Sequence, residues 1–445
     1  MEKDFTTGNV LKGLFTFSLP YLLSCFLQTF YGMADLYVTG RFNGAEAISA
    51  VSIGSQVMHM ITVIIVGLAM GSTVMIGQYI GAKDKKRAGQ SVGNTVILFM
   101  GVSLILTVLL LLLTDWIISV TKTPAEAVLQ TQIYLTICFA GIPFITAYNI
   151  ISCIFRGLGD SRSPLYFIVV ACILNIVLDF IFIGGCEMRA AGAALGTVLS
   201  QAVSVIFALI TVFRKKLGLT VHKNDFLPHR QIIKNILKIG IPISCQDGFV
   251  QVSFLFITMI ANSRGLAVSA SVGIVEKIIS FLFLVPSAML SSISSIAAQN
   301  VGAGKHARAR ETLKYGLMVV LVFGLIISVI VQFIAPSVIA LFSRDPEVIK
   351  LGAQYFRGYV FDCIAAGIHF CFSGYFCAYG RSFLSFLQNF ASIVFVRVPG
   401  AWLMSVLFPS TLYPMGLATP AGSLLSAVIC IFIYLKTDWE RSGQR

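Results

Sequence analysis

Two polar side chains, Asn175 and Asp179, interrupt the apolar run ACILNIVLDFIF at 171–182. A spacing of four residues places both on one face of a helix, about one turn apart, where their polar atoms can act on a common point. A carboxylate inside a membrane span is costly, faces a bundle interior or a wet cavity, and by default marks an ion or proton site. The other intramembrane ionisable candidates are Asp35, Asp247, Glu276, Lys277, Asp362, His369 and Arg397. Two carboxylates brought close in a low-dielectric cavity cannot both ionise cheaply, so such a pair is expected to hold a proton or a bound cation. Either H+ or Na+ suits this chemistry, the latter through oxygen ligands supplied with the help of Asn and Thr. His59 and His369 lie on apolar helices and are expected as core histidines.

The elements that must position these groups are membrane helices. Of the 445 residues, 57% are hydrophobic and 11% charged, and the mean hydropathy is +0.88. Runs of about twenty apolar residues recur from end to end, each long enough to cross a bilayer. The expected fold is an all-α membrane protein with twelve transmembrane helices, at 14–38, 48–80, 92–113, 128–154, 165–183, 191–213, 236–261, 268–298, 315–334, 349–376, 383–407 and 415–435. The apolar run from Leu14 reads as the first span, because Pro20 interrupts it and no small-residue cleavage site follows.

The net charge of +13 does not point to nucleic acid. The basic residues crowd the connectors on one side of the membrane: Lys3, Lys12, Lys83, Lys85, Lys86, Arg87, Arg156, Arg162, those of the sixth-to-seventh connector, Lys305, Arg308, Arg310, Lys314, Arg381, Lys436, Arg441 and Arg445. The opposite side has Arg41, Lys122, Arg189, Arg264, Arg344, Lys350 and Arg357. The positive-inside rule then predicts a cell (plasma or inner) membrane protein with both termini cytoplasmic. Most of the ten cysteines fall within apolar runs and no CxxC pair occurs, so they read as small packing residues. No HExxH, GxSxG or Walker A motif is present, and the chain is not expected to be an enzyme or to need a cofactor.

The longest hydrophilic connector, RKKLGLTVHKNDFLPHR at 214–230, falls at the middle of the chain. IGQYIGAKDKKRA at 76–88 and AAQNVGAGKHARA at 297–309 share five of thirteen residues at an offset of 221, and the same offset lays FRGLGDS at 155–161 on FCAYGRS at 376–382. A shift of 222 lays Pro20 on Pro242. One recurring offset indicates an internal repeat. The expected domains are an N-lobe at 1–213, a cytoplasmic linker at 214–233 and a C-lobe at 234–445, two six-helix lobes related as parallel repeats, a plan used for alternating access. At the common offset Asp35 faces Phe256, Asn175 faces Val396, Asp179 faces Gly400 and Thr197 faces Ala418. Only one copy carries the polar set, so Asp35, Asn175, Asp179 and Thr197 are expected to form a specialised N-lobe coupling site.

With these motifs in order, including Pro20, GIP at 240–242 and AAQNVGAGK at 297–305, the chain resembles the multidrug and toxic compound extrusion (MATE) family along nearly its whole length. The resemblance implies a secondary antiporter that exports organic cations or other amphipathic compounds in exchange for H+ or Na+, with a lipid-linked precursor flippase of the same broader superfamily as the alternative. It implies that Asp35, Tyr134, Asn175, Asp179 and Thr197 match the ion or proton site of the DinF-like branch. The C-lobe acids of the NorM-like branch find no clean match: Gln246, Asp247, Gln251, Asp362 and Arg397 are the polar residues available there. Expected partners are small amphipathic or cationic molecules and the lipid bilayer, with the protein acting as a monomer.

Overall fold

The computed structural model describes residues 4–214 and 222–442. Residues 215–221 of the expected linker, and Lys3 and Arg445 of the charge count, lie outside the described residues. Eleven helices there are long and apolar enough to cross a membrane, and a bent pair supplies the twelfth span. That pair, joined at Gly141 and bent by 49°, is the fourth span expected from the sequence. The bend has two local causes: Pro143 at the start of the second helix cannot donate back, and Gly141 abuts Val198, which a Cβ there would meet at 2.3 Å.

The chain divides into two compact units, one over Leu19–Gly240 and the other joining Phe5–Ser18 to the chain from Ile241 onward. The first unit holds most of α1 (Val10–Phe42), then α2 (Ala45–Gly81), α3 (Lys85–Leu112), the short α4 (Thr114–Val120), the bent pair α5 (Val128–Ala140) and α6 (Ile142–Gly157), α7 (Arg162–Asp179) and α8 (Arg189–Arg214). Its core is built around Val38, Val51, Tyr134, Phe139, Ile142 and Ile183. The second unit holds most of α9 (Arg230–Asn262), α10 (Leu266–Leu282), α11 (Leu284–Gly302), α12 (His306–Ala340), α13 (Pro346–Tyr359), α14 (Asp362–Ala378), α15 (Ser382–Ser392), α16 (Val398–Leu407), α17 (Tyr413–Lys436) and α18 (Trp439–Ser442). Its core packs Ile257, Val272, Ile279, Tyr355, Phe356, Tyr359 and Met415.

The repeat extends to backbone conformation. Lys83 and Gly304, equivalent at the common offset, both take positive φ, 58° and 69°. The following residue of each turn donates to a carbonyl five residues back, Asp84 to Tyr79 and Lys305 to Asn300. Gly159 and Gly380 repeat the arrangement at the ends of α6 and α14, with Asp160 donating to Phe155 and Arg381 to Phe376. These are left-handed helix stops that satisfy otherwise orphaned carbonyls. Asp84 then caps α3 by accepting from the Arg87 amide at 3.0 Å, and Asp160 accepts from the Arg162 and Ser163 amides to start α7.

Each unit also binds the segment that leads into a first span. In the first unit Asn94 donates to the carbonyls of Asp225 and Leu227 and accepts from the His229 amide at 2.6 Å. In the second, Asn300 donates to Phe5, Lys305 to Thr6, and Arg308 to Phe5, Thr7 and Gly8. Two turns of π-helix interrupt the spans, at Phe180–Gly185 directly after Asp179 and at Ile393–Arg397. Such turns are rare and concentrate at functional positions.

Candidate functional site

Three elements of the first unit converge on Asp35. It lies on α1 and is 3% exposed, while Asn175 and Asp179 on α7 are 1% and 0% exposed. Thr197 on α8 donates its hydroxyl to Asp35 Oδ2 at 3.1 Å. The side chains of Asp179 and Asn175 are in direct reach of Asp35, and Tyr31 and Tyr134 lie within its electrostatic range. The five residues expected from the sequence, Tyr134 included, are thus brought to one place.

Two glycines make room for the cluster. A Cβ on Gly196 would fall 2.4 Å from Asp179 Oδ1, and one on Gly54 would fall 2.2 Å from the Tyr134 ring. Neither was a candidate from the sequence, nor was Tyr31, which lies within electrostatic range of Asp35 and beside Gln201. One signal was present: Gly192 and Gly196 form a GxxxG pattern, which lets helix backbones approach closely. Gly192 packs against Phe182 and Ile183 of the π-helical turn, Gly196 against Asp179.

The chemistry of this set is one-sided. Asp35 Oδ1, both Asp179 oxygens and both amide atoms of Asn175 are buried with no neighbour meeting hydrogen-bond geometry. The charged group acting on each aspartate is the other aspartate, and among the described residues no Lys, Arg or His is set against them. Ionised carboxylates only accept, so two of them side by side require a proton or a cation to be compensated. The Asn175 and Thr197 oxygens complete an all-oxygen set suited to a hard monovalent ion.

The second unit places different chemistry in its interior. Arg397, at the end of its π-helical turn and 6% exposed, donates to the Tyr359 hydroxyl at 3.3 Å and lies over the Phe254 ring at 4.7 Å. It acts electrostatically on Glu276 and on Asp362, which is 1% exposed. Asp247, another of the ionisable candidates, is half-buried and has no such relation to Arg397. Glu276 also has its Oε2 accepting from Thr258 at 3.5 Å. Gln246 is buried and Gln251 half-buried on α9, and neither joins the Arg397 group. His369 is buried and stacks on Phe370, and among the described residues its Nδ1 has no hydrogen-bond partner. Where the first unit holds Asp179 over Gly196, the second sets Gly400 against Ala418, with 3.5 Å between a Cβ at Gly400 and that of Ala418.

Twelve apolar spans in two repeats, with a buried acidic cluster in one of them, define a helical membrane transporter. The MatE family model matches residues 20–181 and again 242–403, once in each repeat. The chain is 31% identical over 434 residues to a probable multidrug resistance protein, YpnP, of Bacillus subtilis, covering 97% of this chain and 96% of that protein. It is 26% identical to the multidrug export protein MepA of Staphylococcus haemolyticus, covering 96% and 93%. A solved outward-facing multidrug resistance MATE family transporter shares the fold, with a TM-score of 0.91 at 22% identity over 99% of this chain and 98% of that one. The chain belongs to the MatE family, as its motifs led one to expect.

Proposed function

We propose that this protein is a secondary active multidrug efflux transporter that exports organic cations or amphipathic compounds in exchange for H+ or Na+ by alternating access. The observation that carries this reading is the buried Asp35–Asp179 pair, which faces Asn175 and Thr197 and, among the described residues, has no fixed cation set against it. In the other repeat Arg397 is a tethered cation beside Glu276 and Asp362. A group that carries its own counter-charge has less need of one from solution, so the coupling ion is assigned to the first unit. One elementary charge falling through 100 mV supplies about 2.3 kcal/mol, enough to drive a solute roughly fiftyfold uphill.

The same reading places both termini in the cytoplasm of a cell-membrane protein, from the basic connectors, and makes one chain the transporting unit, since it holds both repeats. The test is dye efflux from proteoliposomes under separately imposed pH and Na+ gradients, with Asp35→Asn and Asp179→Asn alongside. Gradient-driven efflux that both variants lose supports the assignment, and the effective gradient names the ion. Efflux at wild-type rates in both variants refutes it.

A further inference from the structure

A stripe on the outer face of α12 changes character along its length. Arg310, Lys314, Leu317, Met318 and Leu321 recur at the three- and four-residue spacing of one helix face, with two cations at the connector end and apolar side chains beyond. Phe372 of α14 and Tyr434 of α17 form the opposite wall, and together these residues line an open groove of about 340 Å³ within the second unit. From Lys314 to Leu321 the helix rises roughly 10 Å, so the apolar part of the groove lies directly below the cations, in the outer part of one leaflet's hydrocarbon.

The mouth of the groove is built. Trp439 of α18 is 4% exposed and stacks on Phe376 with ring centroids 5.2 Å apart, edge-on to Tyr375 and Tyr379. This fixes the next residue, Glu440, whose carboxylate pairs with Arg310. Among the described residues no ion pair reaches Lys314. Arg381 lies over the Trp439 ring and Lys436 over Phe432, so further cations ring the same end.

We propose that this groove is a binding site for one anionic phospholipid, with its phosphodiester between Arg310 and Lys314 and an acyl chain along Leu317, Met318 and Leu321 against Phe372. The argument for this occupant is charge and depth together. Side chains one helical turn apart can share one phosphate, and the apolar trough that begins directly beneath them takes the first part of an acyl chain, whose remainder continues into the bilayer. Basic pockets between transmembrane helices bind anionic head groups in this way, each cation near the membrane surface being worth about fivefold in affinity. Glu440 competes for Arg310, so the C-terminal helix tunes the site. The assignment rests on the membrane placement of the fold and is independent of the ion-coupling site.

Native mass spectrometry of the purified full-length transporter with added phosphatidylglycerol or phosphatidylcholine tests it. One phosphatidylglycerol is expected to bind in preference to phosphatidylcholine. Arg310→Gln with Lys314→Gln should weaken it about twentyfold, Arg310→Lys with Lys314→Arg should retain it, and Glu440→Gln should tighten it severalfold. Equal retention of the two lipids, or wild-type affinity for phosphatidylglycerol in the double glutamine variant, overturns the proposal. Loss of ion-driven efflux in the Asp35 variant leaves this readout untouched, so the two readings fail separately.

Discussion

Asp35 and Asp179 differ from Glu276 and Asp362 in what faces them. The latter have a guanidinium in range, and the former have each other. Thr197 supplies the hydroxyl that donates to Asp35 Oδ2, and a hydrogen bond to a charged group contributes about 1.5–3 kcal/mol. Thr197→Val therefore shifts the concentration of coupling ion needed for half-maximal efflux by roughly tenfold, downward where the ion is H+, because the hydroxyl stabilises the charged carboxylate that a proton must discharge, and upward where it is Na+, because an oxygen ligand is lost, while efflux under a saturating gradient persists. A titration of transport rate against ion concentration in proteoliposomes reads this directly. An unchanged half-maximal concentration would show that the hydroxyl has no part in ion handling. Asn175, Asp179, Asp35 and Thr197 were legible because their counterparts Val396, Gly400, Phe256 and Ala418 are apolar or small. Glu276 was a candidate, but its relation to Arg397 was not legible, because it joins α10 to a π-helical turn more than a hundred residues away, and no periodicity encodes that pairing.

At the scale of elements, the site depends on how closely α8 approaches α7. At Gly196 a methyl group would overlap the Asp179 carboxylate at 2.4 Å. The clash falls on a buried charged group whose helix continues into the π-helical turn at Phe180–Gly185, so Asp179 must move or α8 must withdraw. Overpacking of this kind costs about 1–3 kcal/mol. Gly196→Ala is expected to abolish gradient-driven efflux and to lower the thermal unfolding midpoint of the purified protein. Gly185→Ala, where a Cβ would meet nothing within 4 Å, should leave both unchanged. The twelve spans were readable from apolar run length, and the bend in the fourth lies at a visible glycine and proline. The role of Gly196 was only half readable: GxxxG announces a close helix contact, but which side chain lies beneath it depends on the register between two helices.

At the scale of the whole molecule, the same offset that relates the motifs relates the turns at Lys83 and Gly304 and at Gly159 and Gly380. What the offset does not announce is where the compact units divide the chain. Phe5–Ser18 groups with the second unit and Leu19–Gly240 with the first, so the division falls inside α1 and again inside α9. Composition cannot mark such a boundary, because it is set by side chains that come from the distant repeat. Arg308 is the principal one for the amino-terminal segment: it donates to the carbonyls of Phe5, Thr7 and Gly8 at 3.0–3.2 Å, and Phe5 packs edge-on to Phe17 at 5.8 Å. The Phe5 amide donates in turn to Gln299 at 3.3 Å, and Lys305 donates to the Thr6 carbonyl at 2.8 Å. Arg308→Ala removes all three guanidinium donations at once, and for partly exposed carbonyls that water can rescue the loss is about 1–3 kcal/mol. The expected result is roughly tenfold faster amide exchange over residues 5–13 with no change in α14, measured by hydrogen–deuterium exchange on the detergent-solubilised protein. Exchange in that segment at the wild-type rate would mean that Phe5 and Lys305 hold it without the arginine.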